Sequence, residues 1–515
     1  MTDTSDKELG IGQGGPGRML FVAVLSVVLV AALSSILLWR SIDSSQTHSL
    51  LMYCAVGMRK PVEEIAKSYE KEYGVRVELQ FGGSNTLLNQ LEVSKIGDLY
   101  LAADQSYLDL ASEKGLTVEQ IELAHIRPVI LVKKGNPKSI VTLKDLLRDD
   151  VTVVLGDPER AAIGKTTRKL VDDAGLWSQL EAQVRKRGAF MPTVTEAATA
   201  VLVGSSADAS IVWDATASQY AALEAVRVPE LDSGEANITV GIIATSDHPT
   251  DALRFARYLT SRDRGLPRFK EHGFRITSGD LWAERPKLTI YSGGVNRLAI
   301  DDQIDAFAAR EGVEINRLYQ GCGLLVSQMK SIREGTRSDL FPDMYISCDA
   351  SYHDLVSPLF QTPIRATSTD MVILVQPKNP YKIQTLADLT QSGLRVGLAN
   401  PEESALGGLS RTLLKAEGVY EQVMKNCVVQ TPTADLLVNA MKAGGLDAAI
   451  VYRVNCTKVK DEMPVIPIDH PKSIAVQTYA IAQETSFPKL SERLFKYLLR
   501  AEQQQRFEKL GFRLQ

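Results

Sequence analysis

The sequence predicts an α/β fold written twice: two tandem domains over residues 50–285 and 286–515, each of two α/β lobes around a cleft. Three observations predict it. The chain has 515 residues, and single hydrophobic cores stop growing near ~250–300 residues. Short apolar runs alternate with longer amphipathic ones. The second half also repeats the first, block by block.

The repeat is collinear. Residues 53–91 align without a gap on 291–329, which places Tyr53 on Tyr291, Arg59 on Arg297, Gly74 on Gly312, Gly83 on Gly321 and Gln90 on Gln328. GDLYLAADQSYLDLA (97–111) then matches PDMYISCDASYHDLV (342–356), and VILVKKGNP (129–137) matches VILVQPKNP (372–380). GDPERAAIG (156–164) pairs with ANPEESALG (399–407), and ADASIVWDA (207–215) with LDAAIVYRV (446–454). The closing segments 256–275 and 495–513 also match, and every block keeps its order.

Within the first copy, YCAV is the opening strand. A helix follows over 61–73, with Val62, Ile65, Ala66 and Tyr69 on one face. Proline at its start and Gly74 at its end fit the usual helix boundaries. VRVELQF is the second strand, 86–93 the next helix and DLYLA the third strand. Alternating β and α elements require a sheet with right-handed crossovers. A repeat this long divides into two lobes, with the extended segments 129–133 and 239–244 as the expected crossovers.

Residues 1–18 read as a disordered, Gly-rich polar tail. Residues 19–39 carry no charge, and at 1.5 Å per residue they give roughly 30 Å of helix, enough to cross a bilayer core. Arg18 and Arg40 bracket the run, and Trp39 stands where an interfacial aromatic belongs. The rival reading is a cleaved signal peptide, but the run exceeds the ~7–15 residues of such a segment. The expectation is an uncleaved single-pass anchor in the cytoplasmic (inner) membrane, a linker over 40–49, and the bulk of the chain extracytoplasmic.

Several classes of function are excluded. Lys+Arg 58 against Asp+Glu 62 leaves a net charge of −4, with no basic excess for nucleic acid. The five cysteines form no CxxC, and the six histidines no HxH or HExxH, so no zinc centre is expected. ERAAIGKT (159–166) resembles the end of a phosphate-binding loop but has Glu159 where glycine is needed. The acidic pairs Glu63–Glu64 and Asp301–Asp302 read as solvated helix faces. No nucleophile–base constellation repeats between the copies, so no enzyme and no cofactor are expected. Cys322 and Cys348 fall at predicted strand ends facing the second cleft, as thiols or as a pair. Cys427 and Cys456 are the alternative pair, and Cys54 reads as a buried small residue.

The motifs FGGSNTLLNQL, GDLYLAAD, NP after a strand, GDPERAAIG, and FKEHGF or FEKLGF resemble those of type 2 periplasmic solute-binding proteins. The molybdate- and tungstate-binding components of ABC transporters are the nearest likeness. The resemblance covers 50–515 as two copies. It implies lobes that close over a tetrahedral oxyanion, delivery to an ABC permease and ATPase on separate chains, and no catalysis. Ligands in such folds sit beyond the C-terminal ends of strands, where helix starts offer unpaired N–H groups and partial positive charge.

Carried over position by position, the first copy offers Gly57, Ser84, Ile163, Thr195 and Trp213, with Thr86 as a further hydroxyl. The second offers Val295, Cys322, Leu406, Thr433 and Tyr452. Trp213 stands where the family has a tyrosine hydroxyl and Cys322 where it has serine, so the two pockets are not expected to be equivalent. Arg59 and Arg297, two residues beyond Gly57 and Val295, are candidates for charge-assisted bonds to the anion. Asp104 and Asp349 are expected to cap helices. The competing function is a sensory or scaffolding protein that uses the duplicated domains to bind a partner or another ligand.

Overall fold

The computed structural model describes residues 49–203, 207–335 and 340–515. The expected tail, the 19–39 segment and the linker up to residue 48 lie outside the described residues. Among the described residues no helix is long and apolar enough to cross a membrane.

Each half of the chain folds into two lobes. In the first, strand Ser49–Ala55 lies parallel to Arg76–Gly82 on one side and Leu99–Ala102 on the other. Helices Arg59–Tyr73 and Ser84–Ser94 connect them. The helix start is two residues earlier than the sequence suggests. Pro61 is tolerated there because first-turn amides have no helical partner in any case. Ala236–Ile243 returns antiparallel to Leu99–Ala102 and completes a six-stranded sheet. The second lobe is a five-stranded sheet in which Val153–Gly156 runs parallel to Ala189–Met191 and Ala209–Trp213.

The second half repeats this plan. Lys287–Gly293 pairs in parallel with Glu314–Gln320 and Met344–Ile346, and Val396–Ala399 with Cys427–Thr431 and Ala448–Tyr452. One difference is local. In the first domain the chain leaves the first lobe at the end of Thr117–Ile126, breaks at Arg127 and resumes as Pro128–Lys133 in the second. In the second domain a single strand, Ile364–Val375, spans both lobes and fuses their sheets. Pro128 has no N–H to continue a ladder, whereas its counterpart Met371 does. The segments expected to be crossovers, 129–133 and 239–244, are therefore largely strand, and the chain passes between lobes at residue 127 and over 227–235.

The two first lobes are joined through a buried ion cluster. Glu311, 1 % exposed, accepts from Arg257 Nη1 at 2.9 Å and from Arg493 Nε and Nη2 at 2.8 and 2.9 Å. Arg310 makes a bidentate pair with Glu119 at 2.8 and 2.9 Å. The carboxylate of Asp280, in the connecting segment, caps helix Pro488–Leu498 by accepting from Lys489 N and Leu490 N. Trp282 pins the same segment, its indole N–H donating to Tyr73 Oη at 2.7 Å.

Burial alone pushes the Glu311 carboxyl up, but Arg493 and then Arg257 outweigh it and hold it below its ordinary value. Its folded pKa lies under its unfolded one. The stabilisation is therefore complete above about pH 4.3 and is lost as the pH falls through the folded value. Glu311→Gln leaves two buried guanidinium groups without a counter-charge and should cost about 3–5 kcal/mol. Urea unfolding of the variant checks this, and its stability should fall less steeply with acid than that of the native chain.

Candidate functional site

The ends of the parallel strands in the two lobes of the first domain face each other across a closed cleft. Its cavity holds about 30 Å³ of room for the centre of a water-sized sphere, where a single water needs roughly 10–15 Å³. This suits a compact ion of a few atoms. The wall is assembled from helix starts: the short turn Val56–Met58 before Arg59–Tyr73, and the first residues of Ser84–Ser94, Ala162–Asp173 and Val194–Leu202. First-turn amides have no carbonyl partner in their own helix, and each start carries partial positive charge. Among the described residues no charged side chain lines this cavity.

Ser84, 2 % exposed, sits at the first position of its helix. Its Oγ accepts from Ala103 N at 3.2 Å, which leaves the hydroxyl proton to donate. Gly57, Ser84, Ile163 and Trp213 all line the cavity, together with Thr193, Val194 and Thr216. Thr195 is the second residue of its helix, and Thr86 the third of its own, and neither lines the cavity. Arg59 is exposed and stacks on the Phe81 ring at 4.3 Å from its centroid. Arg297 lies on Tyr319 at 5.5 Å and 3.7 Å from Asp301. Both arginines stand outside the cavities. Asp104 and Asp349 cap helices by accepting from Ser106 N and Ser351 N.

The lobes touch through backbone. A Cβ on Gly83 would stand 2.4 Å from Arg160 O and 2.9 Å from Pro192 O, both in the opposite lobe. Gly321 repeats this against Glu403 O at 2.3 Å and Pro432 O at 2.5 Å. Asn85 Nδ2 donates across the first cleft to Glu159 O at 2.7 Å, and Gln219 Nε2 to Gly57 O at 3.2 Å. In the second, Tyr352 Oη donates to Ser404 O at 3.2 Å.

The second cavity is smaller, about 20 Å³. Val295 and Tyr452 line it, as does Thr433, while Leu406 is the second residue of the adjoining helix Ala405–Ala416. Val295 puts a side chain where the first domain has Gly57. Cys322 takes the place of Ser84 and accepts from Cys348 N at 3.0 Å, as Ser84 does from Ala103 N. Its S–H points to Cys348 Sγ at 2.8 Å, so this donor is already engaged. A Cβ on Gly293 would meet Cys348 Sγ at 2.0 Å, so the missing side chain there makes room for the thiol. All five cysteines are free thiols, and Cys54 is buried. Burial pushes the Tyr452 phenol well above its ordinary value, so it stays protonated.

The sequence reading missed six polar residues of the clefts: Thr193 and Thr216 in the first, and Gln320, Ser404, Asp435 and Asn455 in the second. A gap-free alignment of PTVTEA (192–197) on PTADLL (432–437) would have found Thr193 and Asp435. It places Thr433 on Thr193, both at N-cap positions, and Asp435 on Thr195. The register of the neighbouring block, which places Tyr452 on Trp213, places Asn455 on Thr216.

Two lobes that close on an ion-sized cavity, twice in one chain, define a binder of small solutes. The model of the bacterial extracellular solute-binding protein family matches residues 50–275 and again 288–513, and the chain belongs to that family in two tandem copies. A Haemophilus influenzae protein described as a binding protein is 28 % identical over 248 residues, 48 % of this chain and 97 % of its own. The molybdate-binding protein ModA of Mycobacterium bovis is 26 % identical over 218 residues, 42 % of this chain and 80 % of its own. The periplasmic molybdate-binding protein of Azotobacter vinelandii superposes with a TM-score of 0.39 at 17 % identity, over 44 % of this chain and all of that one.

Gly83→Ala should hold the first cleft open, because its Cβ collides with fixed backbone oxygens rather than a movable side chain. Small-angle scattering should show a larger radius of gyration than for the native chain, with the thermal midpoint nearly unchanged.

Proposed function

We propose that the first domain captures a fully ionised tetrahedral oxyanion, molybdate or tungstate first, and presents it outside the cytoplasm to an ABC permease and its ATPase on separate chains. The reading includes tethering of the chain to the membrane through residues 19–39. The observation that carries it is the wall of the first cavity: helix-start amides and hydroxyls, with no carboxylate to repel an anion and no cation to demand one. Such a wall binds an ion that only accepts hydrogen bonds, and its size favours an ion over a sugar or peptide. The names of the relatives agree with this class of ligand.

Gly57 and Ile163 serve through their backbone amides, Ser84 through its hydroxyl and Trp213 through its indole N–H. Titration calorimetry with molybdate, tungstate, sulfate and phosphate tests the reading. Tight binding of molybdate or tungstate supports it, and the absence of binding by all four removes it. A hydrogen bond to a charged partner is worth about 1.5–3 kcal/mol. Ser84→Ala should therefore weaken the anion about 10- to 100-fold, and an unchanged affinity takes Ser84 out of the site.

A further inference from the structure

We infer that the second cleft selects an oxyanion that still carries an acidic proton, of the hydrogen phosphate class, and rejects fully ionised dianions such as molybdate and sulfate. This rests on the solute-capture reading of the tandem domains and goes beyond it. Helix starts still wall this cavity, so donors for an anion remain. What differs is the set of acceptors.

Asn455, 8 % exposed, replaces Thr216. Its Nδ2 donates to Asp435 Oδ1 at 2.7 Å, which fixes the orientation of the amide, and its Oδ1 is left buried without a partner. Asp435 replaces Thr195 at the cleft mouth. Both helices carry a first-turn carboxylate, Glu196 in the first domain and Asp435 in the second, but only that of Asp435 lines its cavity. Tyr452, 2 % exposed, lines the same cavity with its hydroxyl also unpartnered.

A ligand that satisfies this set must accept from the helix-start amides and the Tyr452 O–H and donate at least one O–H to Asn455 Oδ1 or Asp435. Hydrogen phosphate does both at neutral pH. Sulfate and molybdate have no proton to give and would place an oxygen against an acceptor. Sites built to receive a hydroxyl reject analogues lacking it by large factors.

The test uses the full-length chain. Native protein is titrated with inorganic phosphate and with sulfate, both with and without saturating molybdate, and so are Ser84→Ala and the double variant Asp435→Thr/Asn455→Thr. The expected result is one equivalent of phosphate, indifferent to molybdate and to Ser84→Ala, weakened at least tenfold in the double variant. Sulfate should bind this cleft at least 100-fold more weakly than phosphate. The double variant should keep its thermal midpoint and its molybdate equivalent, which separates loss of the site from loss of the fold. A second equivalent of molybdate on the native chain overturns the inference. So does sulfate binding as tight as phosphate, the absence of phosphate binding, or phosphate binding that survives the double exchange. Failure of the first cleft to bind any of the four anions removes the proposed function instead, and phosphate binding at the second cleft is read independently of it.

Discussion

An α-helix cannot satisfy the amides of its own first turn, and both clefts of this protein are built from that constraint. In each domain the parallel strands hand over to helices at one edge of the sheet, so several starts converge on one cavity. The donors are backbone groups and persist whatever the side chains become. The second domain could therefore change serine to Cys322, tryptophan to Tyr452 and threonine to Asp435 while keeping a cavity in the same place. Selectivity is left to a few side chains laid over a fixed array of N–H groups.

For the array to work, the lobes must meet closely enough to exclude water. Gly83 and Gly321 permit this, since any side chain there would collide with carbonyl oxygens of the facing lobe. Closure is thus decided by an absent Cβ in each domain. The hydrogen bonds around it, such as Asn85 to Glu159 O, are neutral or weakly charged contacts that can be exchanged for water when a cleft opens.

The Glu311 cluster gives the two domains a shared frame. Glu311 and Arg257 are buried and Arg493 largely so, and removing one strands the others where water reaches them poorly. The inter-domain bonds to Glu311, Arg310 and helix Pro488–Leu498 come from the first lobes and the connecting segment. The second lobes attach through strand crossovers, interrupted at Pro128 in one domain and continuous through Met371 in the other.

The duplication, the α/β alternation and part of each cleft were legible in the sequence. Repeated blocks and apolar periodicity are local signals, and Gly57 and Ser84 stand at the strand-to-helix turns they mark, whereas Ile163 came from the family resemblance. The roles of Arg59 and Arg297 were not legible. Position near a helix start does not say which way a long side chain turns, and each found an aromatic ring outside the cavity. The engagement of Cys322 with Cys348, 26 residues apart, was only half visible, because strand ends can be placed from sequence but their separation cannot. By itself the sequence determined the architecture and where helix starts follow strands, since these depend on backbone order. The tertiary structure alone decided which polar atoms are already paired and which, like Asn455 Oδ1, are left buried without a partner, because pairing depends on distances between segments far apart in the chain.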